Sequence, residues 1–308
     1  MSPDTLAAID AVRLNFNPQS LWALNVVIGL VMFGVALELK PRDFRPVLVT
    51  PKPMLIGLVA QFILLPAFTY LLVLAIRPAP SIALGMMLVA ACPGGNVSNF
   101  LTHHARGNTA LSVSMTAVST AVAIVMTPLN LAFWASRYEP TAAILHAVAL
   151  DPLDLLLAVA LLLGVPMAAG MAIGHRFPAF VARVQRPVRT ASLVVFGLFV
   201  VLALAANWRH FIDWVGVVAF VVFLHNGVAL ASGWGAARIA GLSERDRRAV
   251  AIEVGIQNSA LGLILVFNFF GGLGGMAIVT AWWGVWHLIS GLTVASWWSR
   301  RAPAEAGA

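Results

Sequence analysis

Long apolar runs broken by short polar loops dominate the chain. Nine such runs approach or exceed the ~18–20 residues that cross a bilayer as a helix. They lie near 20–39, 53–76, 81–104, 108–134, 149–174, 187–207, 212–237, 247–270 and 276–299. A membrane β-barrel would instead alternate apolar and polar positions in ~10-residue segments, and this pattern is absent from the sequence. The pattern predicts an all-α polytopic membrane protein of nine transmembrane helices. Residues 19–300 form one transmembrane domain, preceded by a polar arm, 1–18, and followed by a short tail, 301–308. Composition agrees: 60% of residues are hydrophobic and 10% charged, with mean hydropathy +0.91. A soluble domain carries about 25% charged residues, so a soluble enzyme and a disordered chain are excluded.

The net charge of +7 does not point to nucleic acid, because the basic residues sit in loops. With nine spans, one side collects fifteen of the 19 Lys and Arg, among them Lys40, Arg42, Arg183, Arg245 and Arg301. The other collects Arg13, Arg77, Arg137 and Arg209. Basic loops stay in the cytoplasm. The arm is therefore expected outside and the tail inside, in the cell (inner) membrane, with lipid as the surrounding partner. The single cysteine, Cys92, has no intrachain disulfide partner. No cleavable signal is expected, since the first apolar run is too long for one.

Two spans contain breaks. The third reads Ala91-Cys92-Pro93-Gly94-Gly95-Asn96-Val97-Ser98-Asn99. Pro93 removes a helical donor, and polar side chains at mid-depth do not face lipid. The eighth contains Glu253-Val254-Gly255-Ile256-Gln257-Asn258-Ser259. The two align without gaps at a spacing of 160 residues, placing Ala91, Gly95 and Leu101 on Ala251, Gly255 and Leu261. Five spans apart, they run in opposite directions. Polar, interrupted spans at matching places in inverted halves point to a transporter binding site.

Glu253 is the one carboxylate well inside a span. Placing it there costs about 2.5–3.5 kcal/mol or more. No Lys or Arg lies within any span to neutralise it, so a bound cation or a proton is expected. Ser112 and Thr116, four apart, share a helical face and supply neutral oxygens, although such hydroxyls also serve as interhelical glue. Ser98, Asn99, Gln61 and Gln257 add more. Hard neutral oxygens with a single carboxylate suit Na⁺ better than Zn²⁺, copper, Mg²⁺ or Ca²⁺. His287 could bond an anionic substrate or simply pack. Asn226 could stitch helices. An enzyme is not expected, since no nucleophile motif is present and His287 and Ser290 lack an orienting acid.

The segments Cys92–Asn99, Leu111–Thr116 and Glu253–Ser259 resemble those of the bile acid:sodium symporter family. So do Met32-Phe33-Gly34 with Leu39–Phe44, Leu224-His225-Asn226-Gly227, and Trp286-His287. The resemblance spans nearly the whole chain. It implies inverted repeats, two broken helices that cross, a six-span core (spans near 53–134 and 212–299) and a smaller panel (spans near 20–39, 149–174 and 187–207). It implies two sodium sites. The first would use Ser98, Asn99, Ser112, Thr116 and Glu253. The second would use Gln61, Glu253, Gln257 and the carbonyls of Val254 and Ile256. Family members often have ten spans, and this chain resembles the nine-span members.

The resulting expectation is a sodium-coupled symporter that imports a small organic anion, such as a bile acid, a 2-oxo acid or another small carboxylate, by alternating access. Half-helix N-termini near Asn96 and Asn258 would receive the anion, with His287 as a further donor. An arsenite exporter, also built on a membrane Cys and Glu, a proton-coupled carrier and a non-transporting sodium sensor are the alternatives. The Pro-Gly-Gly-x-x-Ser-Asn run argues against the exporter. Neither the particular anion nor the oligomeric state is written in the sequence, and no nucleic acid is expected.

Overall fold

A computed structural model describes residues 51–148, 152–206 and 208–303, together with isolated positions before 51. Most of the span near 20–39, most of the N-terminal arm and the tail beyond 303 fall outside the described residues.

Every described element of regular structure is helical. Helix α1 (Pro51–Val59) continues through a wide turn (Ala60–Leu64) into α2 (Leu65–Ile76). Then come α3 (Pro80–Ala91), α4 (Val97–His104), α5 (Thr109–Ala135) and α6 (Glu139–Val148). Helix α7 (Pro152–Val159) passes through a second wide turn (Ala160–Gly164) into α8 (Val165–Arg176). The chain ends with α9 (Pro178–Ala206), α10 (Trp208–Ile239), α11 (Glu244–Gly255), α12 (Ser259–Phe269) and α13 (Gly274–Ser299). Five stretches among the described residues are long and apolar enough to cross a membrane: Pro51–Ile76, Thr109–Ala135, Leu153–Arg176, Trp214–Ile239 and Gly274–Ser299. This is a multi-pass membrane protein.

Exposure sorts the helices. Leu153, Leu157, Leu161 and Val165 recur every four residues along α7, the second wide turn and α8, and are all exposed. In a bilayer, that stripe faces lipid. By contrast, every residue of α3 except its first is buried, as is all of α11 from Arg248 onward. These two helices and their continuations, α4 and α12, are wrapped by α5, α10 and α13.

The expected breaks are present, and they meet. Gly94 pairs with Gln257 in an antiparallel bridge. Gly95 N–H donates to Ile256 O at 2.7 Å, and Asn258 N–H donates to Pro93 O at 2.9 Å. Each break thus satisfies backbone groups of the other, which a buried interruption requires. The ungapped register of 160 residues is corrected. Cys92 and Ile256 end the first half-helices, while Asn96 and Asn258 begin the second. Three residues lie between the caps in the first break and one in the second, so no ungapped alignment fits both sides.

The remaining carbonyls at the breaks find side-chain donors. Thr127 of α5 donates to Ala91 O at 2.7 Å, Gln61 to Cys92 O at 2.8 Å and Asn226 of α10 to Gly255 O at 2.8 Å. Ser290 of α13 holds the Asn226 amide oxygen at 2.6 Å. Asn226 is therefore more than a stitch between helices, because it closes the end of α11.

Candidate functional site

Glu253 lies in the last turn of α11 and is fully buried. Its Oε2 accepts from Ser98 Oγ at 2.5 Å and Ser112 Oγ at 3.1 Å, and its Oε1 accepts from Thr116 Oγ1 at 2.7 Å. Asn99 Oδ1 stands beside the same hydroxyls, 2.9 Å from Ser112 Oγ and 3.2 Å from Thr116 Oγ1. Three elements supply these groups. The first turn of α4 brings Ser98 and Asn99, successive turns of α5 bring Ser112 and Thr116, and α11 brings Glu253. All five residues read from the sequence as one set come together here.

Six side-chain oxygens meet: one each from Ser98, Asn99, Ser112 and Thr116, and two from Glu253. Ser98, Ser112 and Thr116 bring three hydroxyl protons, and a hydroxyl donates only one. Ser112 and Thr116 each stand between the carboxylate and Asn99, so each of these hydroxyl protons has two candidate acceptors. A carboxyl group in so dry a pocket is neutralised either by a bound cation or by a proton.

The second set is also brought together, by different contacts. Gln61 Nε2 donates to Gln257 Oε1 at 2.8 Å, and Gln257 Nε2 donates to Gln61 Oε1 at 3.3 Å. Gln257 Nε2 also reaches Val254 O at 2.6 Å. Ile256 O is taken by Gly95 N–H. The two amides close on each other. Gly94 borders this set and the carboxylate: a Cβ there would collide with Glu253 Oε1.

Asn96 and Asn258 begin α4 and α12, and both are half-buried. Asn258 Oδ1 caps its helix by accepting from Leu261 N–H at 3.1 Å. Asn96 makes no such cap. His287 is 6% exposed, and its Nδ1 has no hydrogen-bond partner. Gly284, His287 and Gly291, spaced by three and four, share one face of α13. Added Cβ atoms would put Gly284 within 2.8 Å of Ser259 and Gly291 within 2.8 Å of Ile256. His287 therefore lies on the face of α13 that meets the crossover.

Two contacts escaped the sequence reading. Thr102, one turn beyond Ser98, is fully buried and donates to Ser112 Oγ at 3.3 Å. Arg248, in the second turn of α11, is 2% exposed. Its guanidinium donates to the carbonyls of Ala105, Trp298 and Arg301 and to Glu244. Those acceptors occupy it, so it does not neutralise Glu253. Ser119 and Thr120 bond back to Thr116 O and add nothing to the pocket.

The sodium bile acid symporter family model matches residues 25–214. The chain belongs to this family. It is 32% identical to a sodium-dependent transporter of Bacillus subtilis, YocS, over 278 residues, 90% of this chain and 83% of that protein. It is 32% identical over 287 residues to a chloroplastic protein of Arabidopsis thaliana named as a probable sodium/metabolite cotransporter, covering 92% of this chain and 68% of that one. It is 28% identical over 242 residues to the human ileal sodium/bile acid cotransporter, covering 77% and 67%. Family membership makes sodium use the general property of this chain, and the relatives it matches are transporters.

Proposed function

We propose that the protein is a secondary transporter that imports a small organic anion together with Na⁺. The observation that carries this reading is the buried Glu253 carboxylate, ringed by three hydroxyls and an amide oxygen, with no basic side chain among the described residues bonded to it. One Na⁺ is held by Ser98, Asn99, Ser112, Thr116 and Glu253. A second enters between Gln61 and Gln257, against Glu253 and the carbonyls of Val254 and Ile256. Both sets span the crossover, so Na⁺ binding draws the half-helices into one geometry.

Filled with Na⁺, the crossover is electropositive. The N-termini of α4 and α12 add partial positive charge, and buried charge is matched. An anion is then received near Asn96, Asn258 and His287. The fold in this reading has nine spans in inverted repeats, with the core moving against a panel to alternate access. It sits in the cell membrane with the N-terminus outside. Reporters fused at residues 2 and 308 are expected on opposite sides, the second in the cytoplasm. Finding both on one side overturns the span count and the orientation.

The anion preference has its own test. Uptake of matched pairs, an acid and its amide, is expected to favour the acid strongly. Asn258→Ala, measured in the same assay, weakens substrate binding and leaves sodium binding largely intact. Equal uptake of the amide, or unchanged substrate affinity in Asn258→Ala, contradicts the anion pocket.

A further inference from the structure

Gln61, half of the second ion set in the reading above, lies in a stretch where the helix is not α-helical. In the wide turn Ala60–Leu64 the N–H of Leu65 reaches Ala60 O, five residues back instead of four. Such a turn inserts one residue into the helix and is common at functional sites. It is costly here, because the next residue is Pro66. Proline has no N–H, and its α-helical acceptor would be Phe62 O. Phe62 is 3% exposed, so that carbonyl has no access to water. A buried carbonyl needs a partner.

The partner comes from α5. Asn130 Nδ2 donates to Phe62 O at 3.0 Å, and Asn130 is 7% exposed. Thr127, one turn earlier on α5, donates to Ala91 O at the end of α3. The helix that carries Ser112 and Thr116 to Glu253 therefore also supplies donors to the chain beside Gln61 and to the end of α3.

We infer that Asn130 is a positioning residue for sodium binding: by holding Phe62 O it fixes the wide turn, and the wide turn aims Gln61 at Gln257. The inference rests on the proposed ion site and adds a residue to it that touches neither ion nor substrate. Its mechanism is rotational. Loss of the inserted residue would turn Gln61 by about 100° relative to α2, away from Gln257. Without Asn130, the orphaned Phe62 carbonyl favours repacking of the turn.

The test is a Na⁺ titration of thermal stability on the full chain, at constant ionic strength with K⁺ as the replacement ion. Asn130→Leu and Asn130→Ser are compared with wild type, with Glu253→Gln as reference. Both Asn130 variants are expected to raise the half-saturating Na⁺ concentration about tenfold or more, the size expected when a buried acceptor loses its partner. The titration also becomes less steep. If Asn130→Leu does not fold, the smaller Asn130→Ser carries the same expectation. A role confined to packing lowers the melting temperature without Na⁺ and leaves half-saturation unchanged, and that result overturns the inference. If Glu253→Gln keeps wild-type Na⁺ dependence, the ion site itself is wrong. If Glu253→Gln loses it while both Asn130 variants keep it, only the inference about Asn130 falls.

Discussion

Glu253→Gln is expected to abolish stabilisation by Na⁺ and sodium-dependent uptake while leaving a folded protein. Glutamine keeps the volume and one acceptor oxygen and removes the charge. The carboxylate accepts from Ser98, Ser112 and Thr116. Hydrogen bonds to charged groups are worth about 1.5–3 kcal/mol each, and a desolvated cation adds its own attraction. A loss of more than about a hundredfold in apparent Na⁺ affinity follows, equivalent to about 2.8 kcal/mol. Gln257→Ala is expected to act in the same direction by removing the Gln61–Gln257 pair. Normal Na⁺ stabilisation in a folded Glu253→Gln protein would remove the basis of the site.

Gly94→Ala is expected to be nearly as damaging, although it adds one methyl group and no charge. The added Cβ would occupy the space of Glu253 Oε1. A carboxylate at the end of a free side chain would swing aside at little cost. This one is pinned by three hydroxyls, so moving it breaks bonds that define the pocket. Shifting the backbone instead strains the bridge between Gly94 and Gln257. Apparent Na⁺ affinity should fall by about tenfold or more. Gly235→Ala is the control, since nothing lies within 4 Å of a Cβ built there. Alanine is a better helix former than glycine by about 1 kcal/mol, so Gly235→Ala should leave stability equal or higher and Na⁺ dependence unchanged. Equal behaviour of the two variants, judged by Na⁺-dependent melting, would contradict the tight contact at Gly94.

What was legible in the sequence follows from the energetics of membranes. A carboxylate, a proline and paired glycines inside an apolar run are expensive there, so Glu253 and the Pro93–Asn99 segment stand out against Leu and Val. The same logic reaches Ser112 and Thr116 through helical spacing. It fails where the informative group is the backbone. Asn130 reads as one more amide on a long helix, and its partner is a carbonyl freed by a proline sixty-four positions earlier. No periodicity links them. Asn226 was visible as a polar residue, but its partner Gly255 O depends on where α11 ends. Arg248 stands at the edge of the eighth span, where charge is expected, but its burial depends on three carbonyls from distant segments that no local pattern announces. The repeat register slipped because the first break is two residues longer than the second, a length that ungapped comparison cannot absorb.

The central claim is that an inward Na⁺ gradient drives accumulation of an organic anion. The most direct test is uptake of small carboxylates and bile acid-like anions into proteoliposomes holding the purified full chain, under a Na⁺ gradient and under an equal K⁺ gradient. The account predicts accumulation above equilibrium for at least one anion with the Na⁺ gradient, none with K⁺, and collapse of the accumulation in Glu253→Gln. Equal accumulation under both gradients, or accumulation that survives Glu253→Gln, would contradict it.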